Sequence, residues 1–154
     1  MNVFVSDEQD DPVDSAEIMR LARLVLRAEG LPDGSEMAIV LVAPEQIAQY
    51  NERFMQRHGP TNVLAFPLEE LQPGVVPQPI ANGPPMNLGD VFVCPAVVRE
   101  GAAADGVGFE RELALAIVHG ILHLFGYHHH DDASAGRMEG REREILGMAA
   151  RRGR

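Results

Sequence analysis

The feature that most constrains this chain is one apolar segment, residues 113–132, which carries five of its six histidines. Residues 113–118 are apolar without exception, and the apolar pattern resumes at Ile121 and Leu122 after the first histidine. A helix that is apolar on every side is typical of the centre of a protein, where other elements cover it. The segment therefore predicts a buried central helix, and a buried helix rarely carries histidines without a use for them.

Two of these histidines are spaced for joint binding of a metal ion. His119 and His123 are four residues apart, so a helix stacks their side chains on one face. Gly126 is placed to end the helix as a left-handed cap residue, after which the chain can return a further histidine to the same point. His129 is the best placed of the three that follow. The pattern predicts three nitrogen ligands at about 2.0–2.1 Å and an open fourth position for water, as in hydrolytic zinc sites.

These histidines also have interpretations other than a metal site. A lone buried histidine is usually a hydrogen-bonded core residue, and a consecutive triple such as residues 128–130 also occurs in solvent-exposed runs and tag remnants. Tags lie at chain termini, and this triple is internal. Imidazole ligands also suit nickel, copper and iron, so the spacing predicts a metal site more firmly than it predicts zinc.

The segment that carries the predicted ligands also resembles a known family. HGILHLFGYHH, from His119 to His129, is similar to the H-G-x-L-H-L-x-G-Y-D-H signature of the YbeY family, bacterial metal-dependent endoribonucleases of ribosomal RNA maturation and ribosome quality control. His128 stands where the family has aspartate. Residues 60–67, PTNVLAFP, are similar to the family pattern P-T-D/N-V-L-S-F-P.

This resemblance implies a function and a set of partners. The expected activity is zinc-dependent, single-strand-specific cleavage of RNA in 16S rRNA 3′-end maturation and ribosome quality control. The expected partners are single-stranded RNA, 16S rRNA and the ribosome. One zinc ion per chain is expected at His119, His123 and His129.

The residues that would bind the substrate are less directly indicated. In the family, an arginine on the preceding helix helps bind the RNA phosphate, and Met55 holds that position here. Arg53 and Arg57 lie two residues to either side, so on a helix neither points as residue 55 does. Arg57, nearest to the glycine that breaks the helix, can turn into the site; the alternative for both is an exposed helical charge. His128 is a further candidate, as a phosphate ligand when protonated or as a proton relay, with a solvent-facing histidine as the alternative.

The reaction type is indicated by what the motif lacks. Zinc peptidases with H-E-x-x-H use the glutamate after the first histidine as a general base, and Gly120 holds that position here. A glycine there is also expected to leave room for a bulky group beside the metal. Phosphodiester hydrolysis fits better, because a metal ion can both activate water and neutralise phosphoryl charge.

No catalytic group is identified beyond the metal-bound water. The alternatives are a ribosome-associated RNA-binding protein with a structural metal, for which Met55 is the best evidence, and a metallopeptidase with an unrecognised base.

Composition limits the cellular setting. The net charge of −10 argues against general nucleic-acid binding, although all thirteen basic residues are arginine, which can grip a phosphate with a bidentate fork. No apolar run is long enough to span a bilayer, the N-terminus is acidic, and the single Cys94 cannot form an internal disulfide. A cytoplasmic protein is expected, with no membrane or DNA partner.

The remaining pattern predicts an α+β fold in one domain, residues 1–154, in which a small four-stranded mixed sheet is packed with helices around the histidine helix. Strands are expected near residues 2–6, 37–42, 63–66 and 88–94. Helices are expected from residue 14 or 15 to Gly30, from 43 or 44 to Gly59, over 95–104, and at the chain's end through 138–146.

Residues 69–87 contain five prolines and predict a mobile flap over the site. Asp90 is a possible acceptor for an imidazole, with a local backbone contact as the alternative.

Overall fold

The computed structural model describes residues 2–78 and 82–152 of the chain. In chain order the elements are β1 (Asn2–Glu8), α1 (Ser15–Ala28), β2 (Glu36–Val42), α2 (Pro44–Met55), β3 (Val63–Pro67), β4 (Asn87–Val93), α3 (Pro95–Asp105), α4 (Phe109–Leu124) and α5 (Asp132–Arg152). The predicted α+β class is confirmed. None of the helices in these two ranges is both long and apolar enough to cross a membrane.

The sheet is mixed, with strand order β1-β2-β4-β3. β2 pairs in parallel with β1 and with β4, whereas β3 pairs antiparallel with β4. The parallel pairs follow from crossover connections, because a chain that must return to the same end of a sheet needs an intervening element such as α1. This order places β3 at one edge of the sheet.

The histidine helix lies in the middle of the fold, as its composition predicts. α4 contacts α1, α3 and α5 as well as β3 and β4. At Gly120 the helix packs closely on the sheet, because a β-carbon there would lie 2.6 Å from Val91 Cγ1 and 2.8 Å from Val63 Cγ2. The expectation that this glycine leaves room for substrate is therefore wrong: the space beside it is filled by two valines.

The opposite face of the sheet carries a second, smaller core. Tyr50 and Phe54 of α2 pack there against Phe66 and Phe92, with ring centroids 4.7–6.2 Å apart in the contacting pairs. Asp90 lies two residues from Phe92 on β4 and so shares this face. It cannot reach the histidines on α4, so the predicted imidazole contact of Asp90 is wrong.

α2 ends earlier than the predicted stop at Gly59. Gln56 adopts a left-handed conformation with φ of 56°, and the Arg57 N–H then bonds to the Asn51 carbonyl at 3.2 Å. The Asn51 side chain is buried and donates to the Gly59 carbonyl at 3.0 Å. One asparagine thus holds both ends of a tight turn, which directs the chain from α2 into β3.

The proline-rich segment between β3 and β4 packs on the reverse side of the histidine turn. The Leu71 carbonyl lies against Gly126, and the Pro73 carbonyl accepts from Arg137 at 3.0 Å. Residues 68–78 and 82–86 contribute nothing to the described lining of the histidine cleft. The predicted flap over the site is therefore wrong for these residues, and residues 79–81 lie outside the described part. The mobility of the segment stays a prediction.

Candidate metal centre

The end of α4 is built by local backbone geometry. Gly126 has φ of 90°, a left-handed conformation that glycine adopts without strain. Its N–H bonds to the His123 carbonyl, and the Tyr127 N–H bonds to the Leu122 carbonyl, both at 3.1 Å. These two bonds form the paired helix-ending pattern known as the Schellman motif. The chain reverses here and carries His129 back beside α4.

The three predicted ligands come together at this turn. One side-chain nitrogen from each of His119, His123 and His129 lies within 4.8 Å of the other two. The Nε2 atoms of His119 and His123 are 3.1 Å apart. Two nitrogen ligands of a tetrahedral ion at 2.0–2.1 Å would be separated by about 3.3 Å. The donor set and its spacing therefore fit a single tetrahedral metal ion.

One buried carboxylate orients the first ligand. Glu142 on α5 is 8% exposed, and its Oε1 lies 2.8 Å from His119 Nδ1. With the proton on Nδ1 donated to Glu142, the Nε2 lone pair of His119 points toward the other histidines. Sequence reasoning missed this residue. The available signal was an acidic side chain at the apolar spacing of α5, four residues after Met138 and three before Ile145.

The second ligand is held in its neutral form. Burial, together with the proximity of His119 and His129, lowers the pKa of the His123 imidazole from its usual 6.5 to about 4. A metal ion binds the neutral imidazole, so His123 needs no deprotonation near neutral pH. Its environment favours metal coordination over a protonated role.

The reverse side of the turn is fixed by a buried polar network. Glu29 accepts from Tyr127 Oη at 3.1 Å and from Arg141 Nε at 2.9 Å, and Arg141 also donates to the Ala28 carbonyl at 2.8 Å. The Glu29 side chain in this pair is only 5% exposed. Burial and the adjacent Glu29 raise the pKa of the Tyr127 hydroxyl, so it stays a hydrogen-bond donor. The turn is thereby tied to the end of α1 and to α5.

The histidines open into a cleft of about 770 Å³ between α4 and the β3 edge. Its α4 wall carries the first two ligands and Gly120, with Glu112 near the start of the helix. The opposite wall runs from the end of α2 through residues 60–65 to Pro67. The cleft extends beyond the three histidines to the end of α2 and the start of α4, and it is open to solvent.

The structure separates the predicted substrate-binding residues. Arg57 lines the cleft, as does Met55. Arg53 instead lies over the Phe54 ring, with its guanidinium carbon 5.4 Å from the ring centroid, and it is not among the lining residues. The turn after α2 therefore directs Arg57, and not Arg53, toward the site.

His128 and His129, which are consecutive, point in different directions. His129 joins the ligand cluster, whereas His128 lies outside the described cleft lining, with its ring 4.7 Å from that of His130. His130 and His58 line the cleft, and sequence reasoning selected neither of them. Alternation along an extended segment explains why neighbours 129 and 128 diverge, but the sequence did not show which side would face the cleft.

The chain matches one protein family along almost its whole length. A protein-family model described as Endoribonuclease YbeY matches residues 4–150. A protein named Endoribonuclease YbeY from Renibacterium salmoninarum is 39% identical over 95% of this chain and 91% of its own length. One of the same name from Nocardioides sp. is 38% identical over 95% and 96% of the two chains.

Solved structures add a match to the fold. The solution structure of a protein from Thermotoga maritima superimposes with a TM-score of 0.61 at 25% identity, covering 96% of this chain and 88% of that one. The resemblance to the YbeY family is confirmed by the family model and by the relatives of that name. The chain therefore belongs to the YbeY endoribonuclease family.

Proposed function

We propose that this protein is a zinc-dependent endoribonuclease that hydrolyses single-stranded RNA. The observation that carries the proposal is the convergence of three imidazoles, one of them oriented by Glu142, in a cleft open to solvent. A structural metal site is typically closed by a fourth protein ligand, whereas a catalytic one keeps a position open. Membership of a family whose relatives are named endoribonucleases supports RNA as the substrate.

The residues of the chain divide the work of the site between them. When bound, a zinc ion would activate water and offset negative charge on a phosphoryl oxygen. Glu142 holds the His119 ring in the required orientation, and the low pKa of His123 keeps that ring neutral near pH 7. His129 completes the set from the turn. The reverse-side network keeps this turn in place, which preserves the ligand spacing between turnovers.

Arg57 is proposed as the phosphate-binding residue. It lines the cleft beside Met55, the position at which the family resemblance implies an arginine. The bonds of Asn51 to both ends of the turn hold the backbone that presents it. A guanidinium can bind a phosphate through two parallel hydrogen bonds, which also fixes its orientation. Arg53 and His128 are not proposed for this role, because they lie away from the cleft.

The cellular role is proposed from the same family membership. We assign the protein to 16S rRNA 3′-end maturation and ribosome quality control, with the ribosome as its setting in the cytoplasm. A net charge of −10 opposes nonspecific attraction to RNA. Recognition of RNA is then expected to depend on a few local contacts in the cleft. It should therefore depend on the shape of the RNA strand that enters the cleft.

A second function is favoured by one specific observation. Met55 in the cleft wall removes a cation from the place where the family carries one, which fits an RNA-binding protein whose metal is structural. The open cleft and the oriented His119 argue for the enzyme. The metallopeptidase alternative still lacks a carboxylate at Gly120, and packing against Val63 and Val91 leaves no space for a longer side chain there.

The two functions are separated by a cleavage assay with paired variants. Zinc-loaded parent, His123→Ala and His128→Ala proteins are purified identically and incubated with end-labelled single-stranded RNA. We expect the parent and His128→Ala to cleave and His123→Ala to be inactive. Equal cleavage by all three would reveal a contaminating ribonuclease, and zinc-loaded protein that binds RNA without cleaving it would establish the binding function instead.

A further inference from the structure

The edge of β3 has a free row of backbone groups whose direction can be worked out. The Cys94 N–H bonds to the Asn62 carbonyl, and the Leu68 N–H bonds to the Leu88 carbonyl, both at 2.9 Å. In an antiparallel pair, backbone groups alternate between facing the partner strand and facing away. The even-numbered residues of this stretch therefore face β4. Val63 and Ala65 direct their N–H and C=O groups away from the sheet.

Pro67 supports this assignment. It occupies the same alternating position, where a residue makes no bond to β4, and proline within a sheet is confined to positions whose missing N–H is not needed. β3 is the last strand in the order β1-β2-β4-β3, and no strand of the described residues pairs with its outer edge. Such an edge is a template for another extended chain.

This free edge borders the candidate metal centre. Residues 63, 65 and 67 line the same cleft as the three histidines. Val63 is also in contact with Gly120, since a β-carbon on that glycine would lie 2.8 Å from Val63 Cγ2. Gly120 directly follows His119. A chain that lies along the β3 edge therefore passes beside the metal ligands.

We propose that the β3 edge binds the backbone of the single-stranded RNA substrate. The N–H groups of Val63 and Ala65 donate to phosphate oxygens, and their C=O groups accept from ribose 2′-hydroxyls. This inference rests on the proposed function and deepens it, because it gives the enzyme a means of selecting RNA over DNA in the absence of a broadly basic surface.

The chemistry of the edge fits a ribonucleotide chain. Successive outward residues are about 6.6–6.8 Å apart along a strand, and each offers one donor and one acceptor. A ribonucleotide offers an acceptor at its phosphate and a donor at its 2′-hydroxyl, which DNA lacks. A peptide strand also offers both kinds of group. Arg57, at the end of the same cleft wall, favours the polyanion over a neutral peptide.

Ala65→Pro tests the donor, because it removes an outward N–H without removing a bond to β4. Ala65→Ser is the matched control, since it keeps the N–H and is of similar size. Zinc content and thermal midpoint are measured first for all three zinc-loaded proteins. Binding of a labelled single-stranded RNA is then followed by fluorescence anisotropy before measurable cleavage occurs.

We expect Ala65→Pro to bind RNA about tenfold more weakly than parent, the size of one charge-assisted hydrogen bond, with zinc content unchanged. Ala65→Ser, which keeps the N–H, is expected to bind RNA more tightly than Ala65→Pro. Parent protein should bind DNA or fully 2′-O-methylated RNA of the same sequence about tenfold more weakly than RNA. This second comparison needs no variant, so it remains decisive if Ala65→Pro fails to fold.

Three results would overturn the inference. The first is a folded, zinc-containing Ala65→Pro that binds RNA like Ala65→Ser. The second is equal parental affinity for RNA, DNA and 2′-O-methylated RNA. The third is tight binding of an extended peptide, lost in Ala65→Pro, with no RNA binding, which would assign the edge to a peptide. Absence of cleavage by a parent that binds RNA would contradict the proposed function alone, since the edge is tested by binding.

Discussion

The turn that follows α4 has two sides, and they are built in opposite ways. Its cleft side is formed by imidazoles that converge in a solvent-open space, with one ring nitrogen of each within 4.8 Å of the other two: His119, His123 and His129. Its reverse side is formed by side chains that are already paired with one another: Glu29, Tyr127 and Arg141. The imidazole nitrogens on the cleft side are available to bind a metal ion, whereas the polar groups on the reverse side are already hydrogen-bonded to one another.

Two neighbouring residues of α5 connect these sides. Glu142 reaches His119 on the cleft side, whereas Arg141 reaches Glu29 and the Ala28 carbonyl on the reverse side. Consecutive residues on a helix project about 100° apart, so one helix can support both. Ligands stay at metal-binding distances only if their own support is rigid. The closed side therefore allows the open side to remain preorganised.

The largest expected effect comes from removing a ligand on the cleft side. His123→Ala should weaken zinc affinity by more than roughly 100-fold, beyond the range seen for the removal of a residue that only supports a ligand. His128→Ala, whose side chain lies outside the cleft, should bind zinc like parent. Competition titration against a chromophoric chelator measures both. Parental zinc affinity in His123→Ala would show that the metal lies elsewhere.

The next largest effect is expected on stability, from a substitution at Gly126 in the turn that joins both sides. Gly126→Ala puts a β-carbon at a φ of 90° and 2.1 Å from the Leu71 carbonyl oxygen. We expect the free energy of unfolding to fall by on the order of 3 kcal/mol from strain and overpacking. Urea denaturation of the metal-free protein measures this without a contribution from zinc binding.

Gly136→Ala is the control for that substitution. Gly136 is an exposed glycine on α5, and an added β-carbon there meets nothing within 4 Å. Because alanine is the better helix former, this variant should gain about 0.5–1 kcal/mol. A Gly126→Ala protein as stable as parent would mean that the turn is not held by the Leu71 contact.

A smaller effect on zinc affinity is expected from changing Glu142, the residue of α5 that supports the cleft side. Glu142→Gln keeps the shape and one oxygen acceptor but loses the charge that favours the Nδ1–H form of His119. Zinc affinity should fall by about tenfold, and the ¹⁵N shifts of His119 should report a mixed tautomer. Glu139→Gln, on the exposed face of α5, should change neither. If Glu142→Gln left the His119 tautomer and the zinc affinity unaltered, this carboxylate would have no role in the site.

The smallest effect is expected on the reverse side. Tyr127→Phe removes one hydrogen bond to Glu29, which keeps its bond to Arg141. The free energy of unfolding should fall by about 1 kcal/mol, with a much smaller change in zinc affinity than Glu142→Gln causes. Tyr50→Phe, in the aromatic cluster on the other face of the sheet, is the control. A larger loss of zinc affinity in Tyr127→Phe than in Glu142→Gln would reverse the comparison.

The parts of the site that were predictable are the ones that local geometry dictates. Helical spacing puts His119 and His123 on one face, and the glycine at 126 reverses the chain, so the ligand cluster could be predicted before any packing was known. The helix ends at residue 124, as that glycine indicates. The early stop of α2 was not predictable in this way. It depends on the bond between Asn51 and Gly59, eight residues apart.

The chain's sequence by itself determined the helix, the spacing of the histidines and the turn, because hydrogen bonds between residues three to five positions apart fix these features wherever the helix lies. Only the tertiary structure decided that Glu142 would reach His119, that β3 would be an edge strand beside the three histidines, and that the described residues of the proline-rich segment would pack on the reverse side of the turn. Each of these depends on which elements pack against α4. That choice is made by the burial of many apolar side chains at once, and no short stretch of sequence contains it.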